Sequence, residues 1–412
     1  MRKKVFMTAG YNTVSFGTGR KEFNPRKPRP DIDHYIREAG RGSLALLGGA
    51  DHVDEGVVGN FMASRFVRQA HLGAFMPYID EGLRHKPAHR VEGACASGGL
   101  ALLAGIRSVL AESAASVLAV GVEVQNSVKA IYGADILAGA GWFKHRKEGH
   151  AYFFPACFSD RAGAYFEKFG KDGTRQAMAH WYKQAIENAR RCPTAQEYEN
   201  TNPDLLALAL TPPNPKVFTD HLNVFDCSKV SDGASAIAIM SEEGLQRAEI
   251  PLEDAVEVAG FALCVDNLTE KPSDLTRLDT VAKASREALH MAGIGPEQLA
   301  TIELHDCFTI AAVMILEAIG LAGYGEGADL VIKGDTALDG RIPVNTTGGL
   351  IGWGHPTGAT GVHQAVTIWE QLTGKAGAAQ IDLPAGKDYG MSINMGGDDK
   401  TVAAIVYKRT TS

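Results

Sequence analysis

Four side chains in three motifs have the types and spacing to share proton chemistry. Cys95, in EGACASGGLALL, stands where a short extended run gives way to a helical pattern. A thiol at that junction meets the unpaired N–H groups and the positive end of the helix, both of which favour thiolate. That makes Cys95 a candidate nucleophile, and the glycines at 98 and 99 would let a substrate backbone approach closely. His355 lies in NTTGGLIGWGHPTGATG (345–361), directly before Pro356. The proline holds its predecessor extended and favours a helix start soon afterwards, so the imidazole is aimed. A histidine so aimed can take the Cys95 proton as a general base. The third motif, HDCF (305–308), closes the apolar run TIELHDCF with a His and a Cys two residues apart. Taken singly, each motif also suits a structural role, as a buried thiol in a glycine-rich turn or a satisfied core histidine. His305 with Cys307 lacks the further ligands at metal-site spacing that zinc requires, so no metal is expected. On a strand Asp306 would face away from both, which reads as a structural hydrogen-bonding carboxylate.

These residues need elements to hold them. Short apolar runs alternating with helical periodicity, and 46 glycines in 412 residues, indicate an α/β protein. SVLAVGVEV (116–124), ASAIAIM (234–240), AVEVAGFALCV (255–265), TIELHDCF (301–308) and TVAAIVYK (401–408) read as strands, several apolar throughout, as a sheet covered on both faces demands. Helices are expected over 97–113, 175–191, 280–293 and 357–374. The stretch 125–225 breaks the rhythm with aromatics, basic residues and TPPNPKVF, and reads as an insertion covering one end of a sheet. A strand–turn–helix pattern occurs twice, around Cys95 and around His355, which fits two related halves presenting one sharp turn each to a shared cleft.

Composition narrows the function classes. A net charge of −7 argues against a nucleic-acid binder, whose affinity needs a concentrated basic face. No apolar window is long enough for a membrane span and MRKKVFMTAG does not read as a signal peptide, so a cytoplasmic protein is expected. Six cysteines without CxxC pairs suggest neither a zinc ribbon nor a disulfide framework. The basic cluster FKHRKEGH (143–150) suits either a solvated loop or contact with a small anion. GYNTVSFGTGRKEFNPRKPRPDID (10–33) reads as an exposed loop or an arm, without a catalytic role.

The order and separation of ACASGGLAL, SDGASA (231–236), HDCF and GGLIGWGHPTGATG resemble the thiolase superfamily over essentially the whole chain. Familiar thiolases carry Asn-Glu-Ala-Phe where this chain has HDCF, the form found in the sterol-carrier-protein type and in archaeal and bacterial relatives. The resemblance implies a five-layered αβαβα fold of two βαβαβαββ halves, 1–124 with 226–250 and 251–412, and a covering loop domain over 125–225. It implies acyl transfer through an acyl-Cys95 intermediate, either thiolytic cleavage of a 3-oxoacyl-CoA or the reverse Claisen condensation, with coenzyme A as co-substrate and no permanently bound cofactor. His355 would activate Cys95, and His305 and His355 would bind the enolate oxygen. The N–H groups of Cys95 and Gly396 would form the second oxyanion site. Familiar thiolases place a second catalytic cysteine in Cys-x-Gly near the C-terminus; the matching INMGGDD has Asn394 there, so Cys307 would be the acid and base. Ser228 matches a serine that contacts the pantetheine arm, and Lys144, His145, Arg146 and Lys147 are available to the 3′-phosphate.

The same resemblance implies a homodimer or tetramer, and a possible small zinc-ribbon and OB-fold subunit. Aromatic residues of 131–158 suit a bulky acyl group such as benzoylsuccinyl, or a core. Two other readings are a condensing enzyme of the ketoacyl synthase or hydroxymethylglutaryl-CoA synthase kind and a non-catalytic CoA-binding scaffold. Activity with malonyl-CoA but not acetyl-CoA would mark a ketoacyl synthase; failure to form any acyl-enzyme would mark the scaffold.

Overall fold

The computed structural model describes residues 3–145 and 150–410. Nine strands build one mixed sheet: β1 (Phe6–Asn12), β2 (Glu55–Gly59), β3 (Ala88–Val91), β4 (Ser116–Val124), β5 (Asp232–Met240), β6 (Val256–Val265), β7 (Leu299–Glu303), β8 (Tyr389–Gly396) and β9 (Thr401–Arg409). Their order is β3-β2-β4-β5-β1-β6-β9-β8-β7. From the centre outward the pattern repeats, as β1-β5-β4-β2-β3 on one side and β6-β9-β8-β7 on the other. In each run two antiparallel pairings are followed by a parallel one. The place of β3 in the second run is taken by Val344, bridged in parallel to Ile302 of β7. Phe6 and Met7 join the two runs, pairing with Glu257 and Val256, and Val258 N–H donates to Val5 O at 2.8 Å.

Seven helices are used below: α1 (Ile32–Leu47), α2 (Ser97–Leu110), α3 (Phe153–Phe169), α4 (Lys171–Ala189), α5 (Asp279–Ala292), α6 (Thr309–Ile319) and α7 (Thr360–Thr373). Helices α2 and α7 pack on each other and against strands of both runs, forming the middle layer. Helix α1 covers β1, β4 and β5 from outside, and α5 covers β6 and β9, which gives the αβαβα order. The sequence obeys this plan. Every residue of β4 and β5 is buried, as strands covered on both faces must be, and nearly all of α7 is buried because it lies between the two runs of the sheet.

The crossing of α2 and α7 places the chemistry. A Cβ on Gly361 would lie 2.2 Å from the N of Gly99, and one on Gly98 would lie 2.7 Å from the N of Gly361. Only glycine permits that approach, which brings the starts of the two helices, and so the turns bearing Cys95 and His355, together. Within 125–225, α3 and α4 pack on α6 and share its apolar core. The expected strand over 301–308 stops at Glu303, and HDCF runs as irregular chain. Asn345 explains the change. Its side chain accepts from Leu304 N–H at 2.8 Å and donates to Leu304 O at 3.2 Å, so a side chain replaces the next ladder partner. Among the described residues no helix is long and apolar enough to cross a membrane.

Candidate active site

The nucleophile turn is tightly wound. Ala94 is held at φ +55°, in the left-handed region that costs a non-glycine residue energy and recurs at functional turns. Ser97 locks it, its hydroxyl donating to Ala94 O at 2.6 Å and accepting from Gly93 N–H at 3.0 Å. Cys95 is thus presented ahead of α2, as its sequence context suggests. Gly396, at the end of β8, comes so close that a Cβ there would lie 2.2 Å from Gly93 O. Gly396 makes room, and the next residue, Gly397, supplies an N–H that hydrogen-bonds the Cys95 thiol.

His355 follows Gly354, whose φ of +119° swings the loop round. Its N–H reaches Ser231 Oγ at 3.0 Å, and its Nδ1 lies 2.7 Å from Thr360 Oγ1. The Thr360 hydroxyl also reaches Pro356 O at 3.2 Å, and when it donates there it accepts from His355 Nδ1–H. His355 Nε2 is left with a lone pair, the form a general base needs. The sulfur of Cys95 and a ring nitrogen each of His305 and His355 lie within 4.8 Å of one another. The two imidazoles meet edge to face, with ring centroids 5.1 Å apart.

Backbone contacts join Cys307 and Ser228. Ser228 donates its N–H to Cys307 O at 2.9 Å, and the segment around it bridges Phe308 through Cys227 and His355 through Val230. The DCSK stretch therefore ties HDCF to the His355 loop. Asp306 turns the other way, accepting from Trp181 Nε1 at 3.0 Å and Leu350 N–H at 2.7 Å, which pins α4 and the glycine loop to HDCF. Asn394 hydrogen-bonds Gly99, Cys95 and His305. Lys144 lies 5.2 Å over the Trp142 ring, while Arg146 and Lys147 fall outside the described residues.

Burial governs the electrostatics. It pushes the Cys95 thiol up to about 12, outweighing the hydrogen bonds from Gly397 and Cys95 itself, with Glu123 and Glu92 raising it further. The thiolate that the helix start alone would favour is therefore not the resting state. Burial also holds His355 near 3 and His305 well below its ordinary value, the latter helped by His355. Cys307 is pushed up by burial and then by Cys95, Asp306 and Asp398. The resting site is neutral thiol beside neutral imidazole, and charge appears only as a proton moves. Alkylation of Cys95 by iodoacetamide, read by peptide mass spectrometry, is accordingly expected to accelerate steadily from pH 7 to 9.5. A plateau reached near pH 7 would show a thiolate–imidazolium pair instead.

Two residues and one segment that sequence reasoning missed hold these parts in place. Glu123, buried at the end of β4, accepts from Asn60, Phe61 N–H and Met62 N–H on one side and Thr357 and Gly358 N–H on the other. A carboxylate inside the apolar run SVLAVGVEV was the signal that could have found it. The segment 13–17, read as part of an exposed loop or an arm, packs against the His355 loop, where a Cβ on Gly354 would lie 2.2 Å from Ser15 Oγ; Phe16 bridges Asp232, and Ser15 N–H donates to Thr194 O at 2.8 Å. Arg161 of α3 is 1% exposed and pairs with Asp398 at 2.5 Å while donating to Leu275 O and Arg277 O, so it fixes the turn that follows Gly397. Arg161→Met strands Asp398 and two backbone carbonyls without a donor, and is expected to destabilise the fold by about 3–5 kcal/mol in chemical denaturation.

Comparison with known proteins identifies the family. The family profile "Thiolase C-terminal domain-like" matches residues 264–409. An acetyl-CoA acetyltransferase of Methanothermobacter thermautotrophicus is 34% identical, over 91% of this chain and 94% of its own. The benzoylsuccinyl-CoA thiolase subunit BbsB of Thauera aromatica is 28% identical, over 72% of this chain and 74% of its own. Among solved structures, the Ltp2-ChsH2(DUF35) aldolase superposes with a TM-score of 0.79 at 18% identity, covering 100% of this chain and 99% of that one, a likeness of fold. The chain belongs to the thiolase superfamily and is an acyltransferase of its sterol-carrier-protein-type, HDCF-bearing group.

Proposed function

We propose that this thiolase cleaves 3-oxoacyl-CoA with free CoA, or runs the reverse condensation, with its four reactive side chains in distinct roles. The observation that carries the assignment is the convergence of Cys95, His305 and His355 within 4.8 Å, with the buried Cys307 thiol close enough to feel charge on Cys95. In cleavage, His355 Nε2 takes the Cys95 proton and the thiolate adds to the 3-oxo carbon. The bond to the α-carbon breaks, the enolate oxygen is held by His305 and protonated His355, and Cys307 gives its proton to the α-carbon. Cys307 thiolate then accepts the proton of CoA as CoA attacks acyl-Cys95. Departing Cys95 recovers its proton from His355. Each step returns what it borrowed.

Coenzyme A is the co-substrate in this reading, and its pantetheine arm passes Ser228. The relative named a benzoylsuccinyl-CoA thiolase subunit, together with exposed Tyr132 and Phe143 on the covering segment, supports a bulky or aromatic acyl group as a second reading of specificity. The same subunit name and the solved assembly with a DUF35 chain support a small partner that helps present CoA, on a homodimeric or tetrameric enzyme. The test is thiolysis of acetoacetyl-CoA and benzoylacetyl-CoA by the purified chain, with and without a DUF35 subunit from the same genome. CoA-dependent loss of the 3-oxoacyl enolate absorbance supports the reading. Failure with both substrates, partner present, together with no acyl adduct on Cys95, sinks it.

A further inference from the structure

Asn394 stands where other thiolases hold their second catalytic cysteine, and its amide is oriented by two partners that leave no choice. Gly99 N–H can only donate, and it lies 2.9 Å from Asn394 Oδ1. Cys95 O can only accept, and it lies 3.0 Å from Asn394 Nδ2. A flipped amide would set donor against donor and oxygen against oxygen. The remaining Nδ2 hydrogen faces His305 Nδ1 at 3.3 Å.

We propose that Asn394 is a positioning residue that holds His305 in the Nε2–H tautomer, so that this imidazole always offers a donor to the substrate oxygen. The proposal rests on the reading of His305 as an enolate-oxygen donor. An amide N–H that must donate to Nδ1 forces a lone pair there, and the single ring proton of a neutral imidazole then sits on Nε2. Burial keeps His305 neutral, so the tautomer decides what it can do. His355 is set the opposite way by Thr360, with its proton on Nδ1 and a free Nε2. One site thus holds two histidines at the same sulfur, one fixed as donor and one as base. A cysteine at 394 has no amide to give.

The test combines NMR with two variants. In protein labelled with ¹⁵N-histidine, with His305 assigned by His305→Gln, the wild type is expected to show Nε2 protonated and Nδ1 bare. Asn394→Asp keeps an acceptor for Gly99 but presents a carboxylate to Nδ1, which draws the proton there. We expect the ¹⁵N pattern of His305 to invert and kcat to fall about 100-fold or more, the cost of losing one oxyanion donor, with KM shifted less than about threefold. Asn394→Leu removes all three hydrogen bonds without favouring either tautomer, and is expected to lose less kcat than Asn394→Asp. A merely structural asparagine would give the reverse order. The proposal is overturned if wild-type His305 carries its proton on Nδ1, or if the leucine variant is as slow as the aspartate one. Failure of the thiolase reading would look different, as wild-type enzyme without turnover or Cys95 adduct whatever the His305 tautomer.

Discussion

Cys95→Ser is expected to cut thiolysis by about 10⁴-fold or more and to abolish the acyl adduct that intact-protein mass spectrometry detects after mixing with acetyl-CoA. The exchange of sulfur for oxygen leaves the turn intact, because Ala94, Ser97 and Gly93 hold it through contacts that do not involve the thiol. What changes is the proton transfer. His355, held near 3 by burial, is a weak base for a thiol pushed up to about 12, and the proton moves only because the new charge pair forms within 4.8 Å. A serine hydroxyl is several units less acidic and a poorer nucleophile towards a thioester. Gly397 N–H, which hydrogen-bonds the thiol, and His305 remain, so binding survives and rate does not. An adduct persisting in Cys95→Ser would move the nucleophile to Cys307, the other thiol of the site, and would reverse the assignment of roles.

Much of this arrangement was legible in the chain because it depends on local rules. Cys95 and His355 announced themselves by residue type beside glycine, HDCF by a His and a Cys closing an apolar run, and β4, β5, β6 and β9 by largely apolar runs. Strands β1, β2, β3 and β8 did not, since FMTAGYN, EGVVG, AHRV and YGMSINMG are short or rich in small residues and become strands through their neighbours. The end of β7 was misread for a related reason. An apolar run continues to Phe308, but Asn345, 41 residues from Leu304 in sequence, takes over its backbone groups. The state of the Cys95 thiol was misjudged because a helix start is a local feature while desolvation depends on everything packed around it. Glu123, Arg161 and Asn394 act between distant segments, as with the 295 residues separating Asn394 from Gly99, and no window of sequence shows such a pairing.

Cys307→Ala separates the two halves of the reaction. It is expected to slow carbon–carbon bond making and breaking by about 10³-fold, within the range of general acid–base catalysis, while Cys95 still takes an acyl group from acetyl-CoA. The difference follows from placement. Acylation needs only Cys95, His355 and the oxyanion donors, whereas the α-carbon needs a proton delivered to it or removed from it. Among the reactive groups only Cys307 is left for that, because His355 is committed to Cys95 and the side chain of Asp306 is spent on Trp181 and Leu350. Alanine removes one sulfur from a residue already 8% exposed, and the Cys307 carbonyl that Ser228 uses is untouched. The direct readout is exchange of acetyl-CoA α-hydrogens with deuterated solvent, which should vanish in Cys307→Ala and persist in Asn394→Leu. Exchange surviving in Cys307→Ala would assign the proton to His355 and leave HDCF to act through His305 alone. Loss of the acyl adduct along with exchange would instead mean that Cys307 helps to ionise Cys95, a role its raised pKa opposes, since a thiol that holds its own proton so firmly is a poor acceptor in the resting site.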